Sequence, residues 1–228
     1  MGLNYAFARR SIERQKGIAA MKSRDWQNFF EEQCRVHGKV LYTVPELANV
    51  AHARGAALNV ELTRLRTQQI ITKYAHGLYG VPREVTPQAL VAAVDSHAYI
   101  TGHYALNFHG LVTQSPVVIT CLTDRRSLRA RERSTPLGRL VFVCERSRVY
   151  HPVSEAAIAP PGQALCDYIY LSRRQATAAE SLVTFRNLGR IDEADLSRNL
   201  ERYPGSVRKE VARILCAERG TWAENLRT

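Results

Sequence analysis

Between residues 59 and 67 the chain places Asn59, Val60, Thr63, Arg64 and Thr67 at spacings that fall on one side of a helix. These side-chain types can read base edges. An amide suits adenine, a guanidinium suits guanine or a phosphate, and a branched apolar group suits a thymine methyl. Lys73 and His76 follow beside Gly77 and would put cationic groups near a hairpin tip. A second concentration of charge lies in TDRRSLRARERSTPLG, where Arg125, Arg126, Arg129, Arg131 and Arg133 are interrupted only by Asp124 and Glu132. Pro136 and Gly138 indicate a loop there. Arginine forks match phosphates, so this stretch reads equally as a phosphate-contacting or partner-facing patch and as a solvated loop.

Signals for catalysis are thin. The chain has no GxxxxGK[ST] loop, no GxSxG elbow and no HExxH pair. Cys34 and His37 have metal-like spacing, but no second pair completes a tetrahedral site, so no metal or other cofactor is expected. His97, His103 and His109 recur every six residues, a spacing that scatters them around a helix. Asp167 follows Cys166, but neighbouring helix positions point apart, and Asp167 is expected to bond a backbone group or an arginine. No enzyme is expected.

The elements that would hold the base-reading set run from residue 40 to residue 82: a short strand, a helix, a turn, a second helix and a hairpin, the order of a winged helix-turn-helix. Pro45 suits a first helical turn, Leu47, Ala48, Val50 and Ala51 give an apolar face, and Gly55 is read as the helix end. The second helix is expected from about Leu58 to Gln68, with Leu58, Leu62, Leu65 and Gln69 facing inward. After Pro82 and Pro87 the composition changes. Helices are expected at 87–94, 102–109, 164–171, 178–188, 192–202 and 206–219, with Ala105, Leu106 and Phe108 buried and strands at 117–122 and 140–144. The fold class is α+β: a basic arm (1–22), a winged helix-turn-helix domain (23–85), and a mixed α/β domain ending in several helices (86–228).

A net charge of +11 favours nucleic acid as a partner. The charge is unevenly placed, because residues 23–85 hold eight Lys/Arg against six Asp/Glu, whereas residues 1–22 hold five against one. That arm reads first as a solvated tail and second as an element touching phosphates. Glu61 lies beside the base-reading face, where it would repel phosphates. No stretch suits a bilayer, Arg9-Arg10 lacks a following apolar run, and five scattered cysteines suit a reducing cytoplasm with buried free thiols.

In three segments, taken in order, the chain resembles the AbiEi-type antitoxins of type IV toxin–antitoxin (abortive infection) systems and their stand-alone regulator relatives. These are HGLYGVP at 76–82, ITGHYALNFHGL at 100–111 and IAPPGQALCDY at 158–168. Tyr104, Gln69 and Gln163 depart from that pattern, standing where Ser, a helix-ending Gly and a basic residue are usual. The likeness covers about residues 24–215. It implies an autorepressor that binds inverted repeats at its own promoter as double-stranded DNA, and that counteracts a nucleotidyltransferase-like toxin without needing a stable complex with it. Repeat recognition implies a dimer, or monomers that cooperate on DNA. An orphan winged-helix regulator, or a protein-interaction module, with no cognate toxin is the alternative.

Overall fold

Trp26, Phe29 and Phe30 recur at helical spacing just before Gly38, and they build a helix that the sequence reading above does not include, α1 (Ser23–His37). Gly38 ends it in the left-handed region, with φ +61° and its N–H donating to the Cys34 carbonyl. The computed structural model describes residues 21–126, 131–145, 148–153, 157–174 and 183–225, with side chains described as far as 218. Among these are eight α-helices and two sheets, a mixed α and β protein. The chain divides into two units: residues 1–72 with 77–82, and residues 73–76 with 83–228.

In the first unit, α1 is followed by β1 (Leu41–Thr43), α2 (Val44–Ala51) and α3 (Gly55–Thr67). Thr43 and Glu46 cap α2 reciprocally, the Glu46 carboxylate accepting from the Thr43 N–H at 2.8 Å. The helix ends earlier than expected. His52, not Gly55, takes the left-handed position (φ +49°), and Gly55 (φ +57°) opens α3. A hairpin follows, with β3 (Leu78–Gly80) in this unit and β2 (Thr72–Ala75), all but its first residue grouped with the second unit, in a sheet of order β1-β3-β2 whose β1 and β3 run antiparallel. Gly77 holds φ +69° in the turn, and its carbonyl accepts from the Val44 N–H. Trp26, Phe30, Tyr42, Leu47, Leu58, Leu62 and Leu65 form the core. The Trp26 and Phe30 rings stack at 5.4 Å, and the Phe30 ring meets Tyr42 edge-on at 5.0 Å.

The second unit carries a sheet of order β4-β5-β7-β6: β4 (Tyr99–Thr101), β5 (Val118–Thr123), β6 (Glu132–Thr135) and β7 (Gly138–Cys144). The β5–β7 pair is parallel and the other two pairs are antiparallel. Helices α4 (Pro87–Val94), α5 (Gly102–Phe108), α6 (Pro161–Arg174), α7 (Glu193–Leu200) and α8 (Gly205–Asn225) complete it. Helix α6 is buried along most of its length, and Gly162 explains its close seat. A Cβ at Gly162 would stand 3.3 Å from the Leu196 Cα and 3.0 Å from an Asp195 oxygen.

Several expectations fail locally. Residues 132–135 form a strand where a loop was expected, and Pro136 lies in the turn that follows. Phe108, expected inside, is 58% exposed. Of the helix expected at 178–188, residues 178–182 lie outside the described residues. The remainder is not an α-helix: Phe185 bridges to Val112, Asn187 is left-handed (φ +56°), and a short 3-10 turn follows at Leu188–Arg190. The five cysteines are free, but only Cys121 and Cys166 are buried, and Cys216 is exposed. Among the described residues no helix is long and apolar enough to cross a membrane.

Candidate nucleic-acid interface

Helix α3 turns Leu58, Leu62 and Leu65 into the core of the first unit and leaves the opposite side open. Asn59, Val60, Thr63 and Thr67 are all exposed on that side. Val60 is 69% exposed, an apolar group displayed with no apolar cover. The Thr63 and Thr67 hydroxyls donate to the carbonyls one turn earlier, at 2.8 and 3.0 Å, which fixes their rotamers and leaves their oxygen lone pairs facing out.

Arg64 behaves differently from the residue expected to read a base. Its Nε and Nη2 fork the Glu61 carboxylate at 3.0 and 2.6 Å, its Nη1 donates to Ser23 Oγ at 2.6 Å, and its Nη2 also donates to the Met21 carbonyl at 2.9 Å. The guanidinium is thereby committed to the start of α1. Glu61 is matched as well, accepting from Trp26 Nε1 at 2.7 Å, and its side chain is 12% exposed. The hydrogen bonds from Arg64 hold the Glu61 carboxyl below its ordinary range, and the same bonds raise the arginine. The expected repulsion between Glu61 and phosphate is therefore neutralised within the fold.

Arg66 is the cation that the sequence reading passed over. It is exposed, makes no ion pair among the described residues, and lies about 20° from Asn59 around the helix. That angle is legible in the spacing alone, which sets Arg64 about 140° from Asn59. Gln69, expected inward, is exposed in the left-handed region (φ +57°) and ends α3, while Ile70 turns into the core instead. Lys73 on β2 and His76 in the hairpin turn are both exposed.

The arginine cluster disperses. Arg125 lies 3.5 Å from the buried Asp95 carboxylate, Arg126 and Arg131 are exposed, and Arg129 lies outside the described residues. Arg133 sits on β6, with its Nε buried and unpartnered.

The groups screened for catalysis are occupied structurally. His103 bonds the Gln114 carbonyl, His109 the Ala159 carbonyl and His97 the Asp124 carboxylate. Among the described residues, Asp167 bonds neither a backbone group nor an arginine. It is fully buried and accepts from Thr101 and Tyr203 at 2.7 Å and from Tyr99 at 3.2 Å. Burial pushes its pKa up to about 7 against the pull of the three hydroxyls, and burial also pushes the Cys166 thiol up. A cleft of about 330 Å³ lies between His151, Gln163, Arg198 and Arg202. Its cations are already engaged, Arg198 with Asp195 and Arg202 with Asn199. No group of three or more His, Cys, Asp and Glu able to hold a metal ion occurs among the described residues.

Compared with known proteins, the chain matches no family model and no curated sequence.

Proposed function

We propose that this chain is a winged-helix DNA-binding autorepressor of the type IV antitoxin kind, acting in the cytoplasm on operator repeats upstream of its own gene. The observation that carries the reading is α3: a helix seated on three leucines that presents Asn59, Val60, Thr63, Arg66 and Thr67 outward. It stands in an element order, α1-β1-α2-α3-β2-β3 with sheet order β1-β3-β2, that suits insertion of one helix into a major groove. Asn59 offers an amide to adenine, Arg66 a fork to guanine or phosphate, and Val60 a contact to a thymine methyl. Lys73 and His76 contact the flanking backbone. Arg64 positions the helix and does not read a base.

The antitoxin half of the proposal rests on the resemblance in the segments at 76–82, 100–111 and 158–168. In it, the second unit opposes the effect of a nucleotidyltransferase-like toxin and has no catalytic role of its own. The test is a gel-shift titration on the DNA upstream of the gene, with a scrambled duplex as competitor, at two salt concentrations. Binding that survives the competitor and weakens steeply with salt is the expected result. Absent binding would assign the exposed face of α3, with Val60 at its centre, to a protein partner.

A further inference from the structure

We propose that the cleft between the start of α6 and one face of α7 is a binding site for a small phosphomonoester, a phosphate group carried on a compact organic body. The proposal does not depend on the DNA-binding reading. The cleft holds about 330 Å³, inside the range of about 300–1,000 Å³ typical of sites that take small organic ligands. Its lining divides by chemistry. Pro152, Val153 and Pro160 are apolar, whereas Arg198, Arg202 and the His151 imidazole are basic.

Helical spacing gathers the polar part. Asp195, Arg198, Asn199 and Arg202 stand three, four and seven residues along from the first, so one face of α7 and the turn after it supplies all four. Gln163, in the first turn of α6, lines the same cleft and holds the loop opposite, its Nε2 donating to the His151 carbonyl at 2.9 Å. Arg202 is the decisive residue. Its Nη1 donates to Asn199 Oδ1 at 3.2 Å, and the buried Asn199 is itself fixed by its Nδ2 bond to the Asp195 carbonyl at 2.9 Å. A buried amide thus sets the direction of the guanidinium without cancelling its charge, and the rest of the fork keeps its donors for an anion. Arg198 meets Asp195 at 3.6 Å, outside hydrogen-bond range, so it too has donors to give. Two guanidiniums against one carboxylate leave the described lining at +1, and protonation of His151 makes it +2. A phosphomonoester carries a charge of about −1.5 to −2 near pH 7 and presents oxygens that match arginine forks, so it balances this set. The three apolar residues then cover the organic body.

His151 reports on the charge of the cleft. Its pKa lies below the ordinary histidine value, through desolvation first and the Arg202 charge second. A bound phosphate offsets that charge and raises the pKa.

The test uses the full chain, with adenosine 5′-monophosphate, ribose 5-phosphate and inorganic phosphate as probes and adenosine as the uncharged control. Proton NMR follows the His151 imidazole, identified by its loss in His151→Gln, and calorimetric titration gives the affinities. Both esters should bind saturably and raise the His151 midpoint, adenosine should do neither, and inorganic phosphate should bind more weakly than the esters. Arg202→Gln should weaken the esters by about 10- to 150-fold, the equivalent of one lost hydrogen bond to a charged group. Because that variant also touches the buried Asn199, Asp195→Asn provides a check of opposite sign. It frees Arg198 from its competitor and should tighten binding by about two- to fivefold. Ester binding that leaves the His151 midpoint unmoved, as binding on α3 would, overturns the proposal, and so does binding that neither substitution alters. Inorganic phosphate binding as tightly as the esters would overturn the organic body and reduce the cleft to a bare anion site.

Discussion

Two carboxylates, one in each unit, have opposite fates. Glu61 is held by a guanidinium and an indole N–H, and its pKa falls, with the Arg64 hydrogen bonds as the largest cause. Asp167 is held by three neutral hydroxyls in full burial, and its pKa rises to about 7. The identity of the partner separates them: a cation compensates a carboxylate for leaving water, and hydroxyls compensate it only in part. The difference also separates a region closed on itself from one that leaves polar groups facing outward. Around Asp167 each donor is turned inward on one acceptor, and the knot has nothing left to offer a ligand. Around Glu61 the pairing consumes Arg64 and leaves Asn59, Thr63, Arg66 and Thr67 open to solvent.

The sharpest way to break this comparison is to remove the buried acid. Asp167→Ala strands the hydroxyls of Tyr99, Thr101 and Tyr203 and opens a cavity, and should cost about 3–5 kcal/mol in urea unfolding. Asp167→Asn separates charge from shape. Because the folded pKa lies above the unfolded value of about 3.9, Asp167 stabilises most below that value, and its contribution is lost as pH rises from about 4 to about 7. Glu61 runs the other way. Its folded pKa is lowered, so its contribution is present above about 4.5 and is lost as pH falls through the folded value. The stability of Asp167→Asn should therefore be flatter than the parent between pH 4 and 7 and unaltered in its acid limb. An unchanged profile in that window would show that Asp167 is ionised in the folded chain throughout.

The next effect in size compares the two arginines of α3. Arg64→Ala should lower stability by about 2 kcal/mol, by releasing Glu61, Ser23 and the Met21 carbonyl, and leave base preference in place. Arg66→Ala and Asn59→Ala should leave the melting curve within about 0.5 kcal/mol and weaken discrimination between upstream and scrambled duplex by about 1–3 kcal/mol each. The reverse pattern, with Arg64→Ala relaxing sequence preference at full stability, would restore Arg64 as a base reader and unseat Arg66.

These arginines also mark what could be read from the chain alone. Leu58, Leu62 and Leu65 announce a helix and its buried side by spacing, as Pro87 and the run after it announce α4, whose bounds match the expected 87–94. Spacing is a local property and carries those elements. The fate of Arg64 is settled by Ser23 and the Met21 carbonyl, 41 and 43 residues away, and no periodicity reports a partner at that distance. Strand β6 reads Glu-Arg-Ser-Thr, without one apolar residue to set a period, and forms because β7 offers it an edge. Tyr99 and Thr101 both bond Asp167 from β4, and nothing local shows that their hydroxyls point at the same oxygen of a helix 66–68 residues on.

The smallest effect concerns the end of α3, where Gln69 is exposed and Ile70 takes the inward place. Gln69 occupies the left-handed position of a Schellman-type cap: its own N–H donates to the Arg66 carbonyl at 3.0 Å and the Ile70 N–H to the Leu65 carbonyl at 2.9 Å. A residue with a Cβ loses about 1–2 kcal/mol in that conformation. Glycine removes this strain but adds freedom to the unfolded chain, worth about 0.4–1 kcal/mol. Gln69→Gly should therefore stabilise the first unit by about 0.5–1 kcal/mol, raising its melting temperature slightly with DNA affinity unchanged, since Gln69 lies beyond the last exposed turn of α3. A loss of affinity in this variant would mean that the glutamine amide itself touches DNA, which would extend the reading face past Thr67 and toward Ser23.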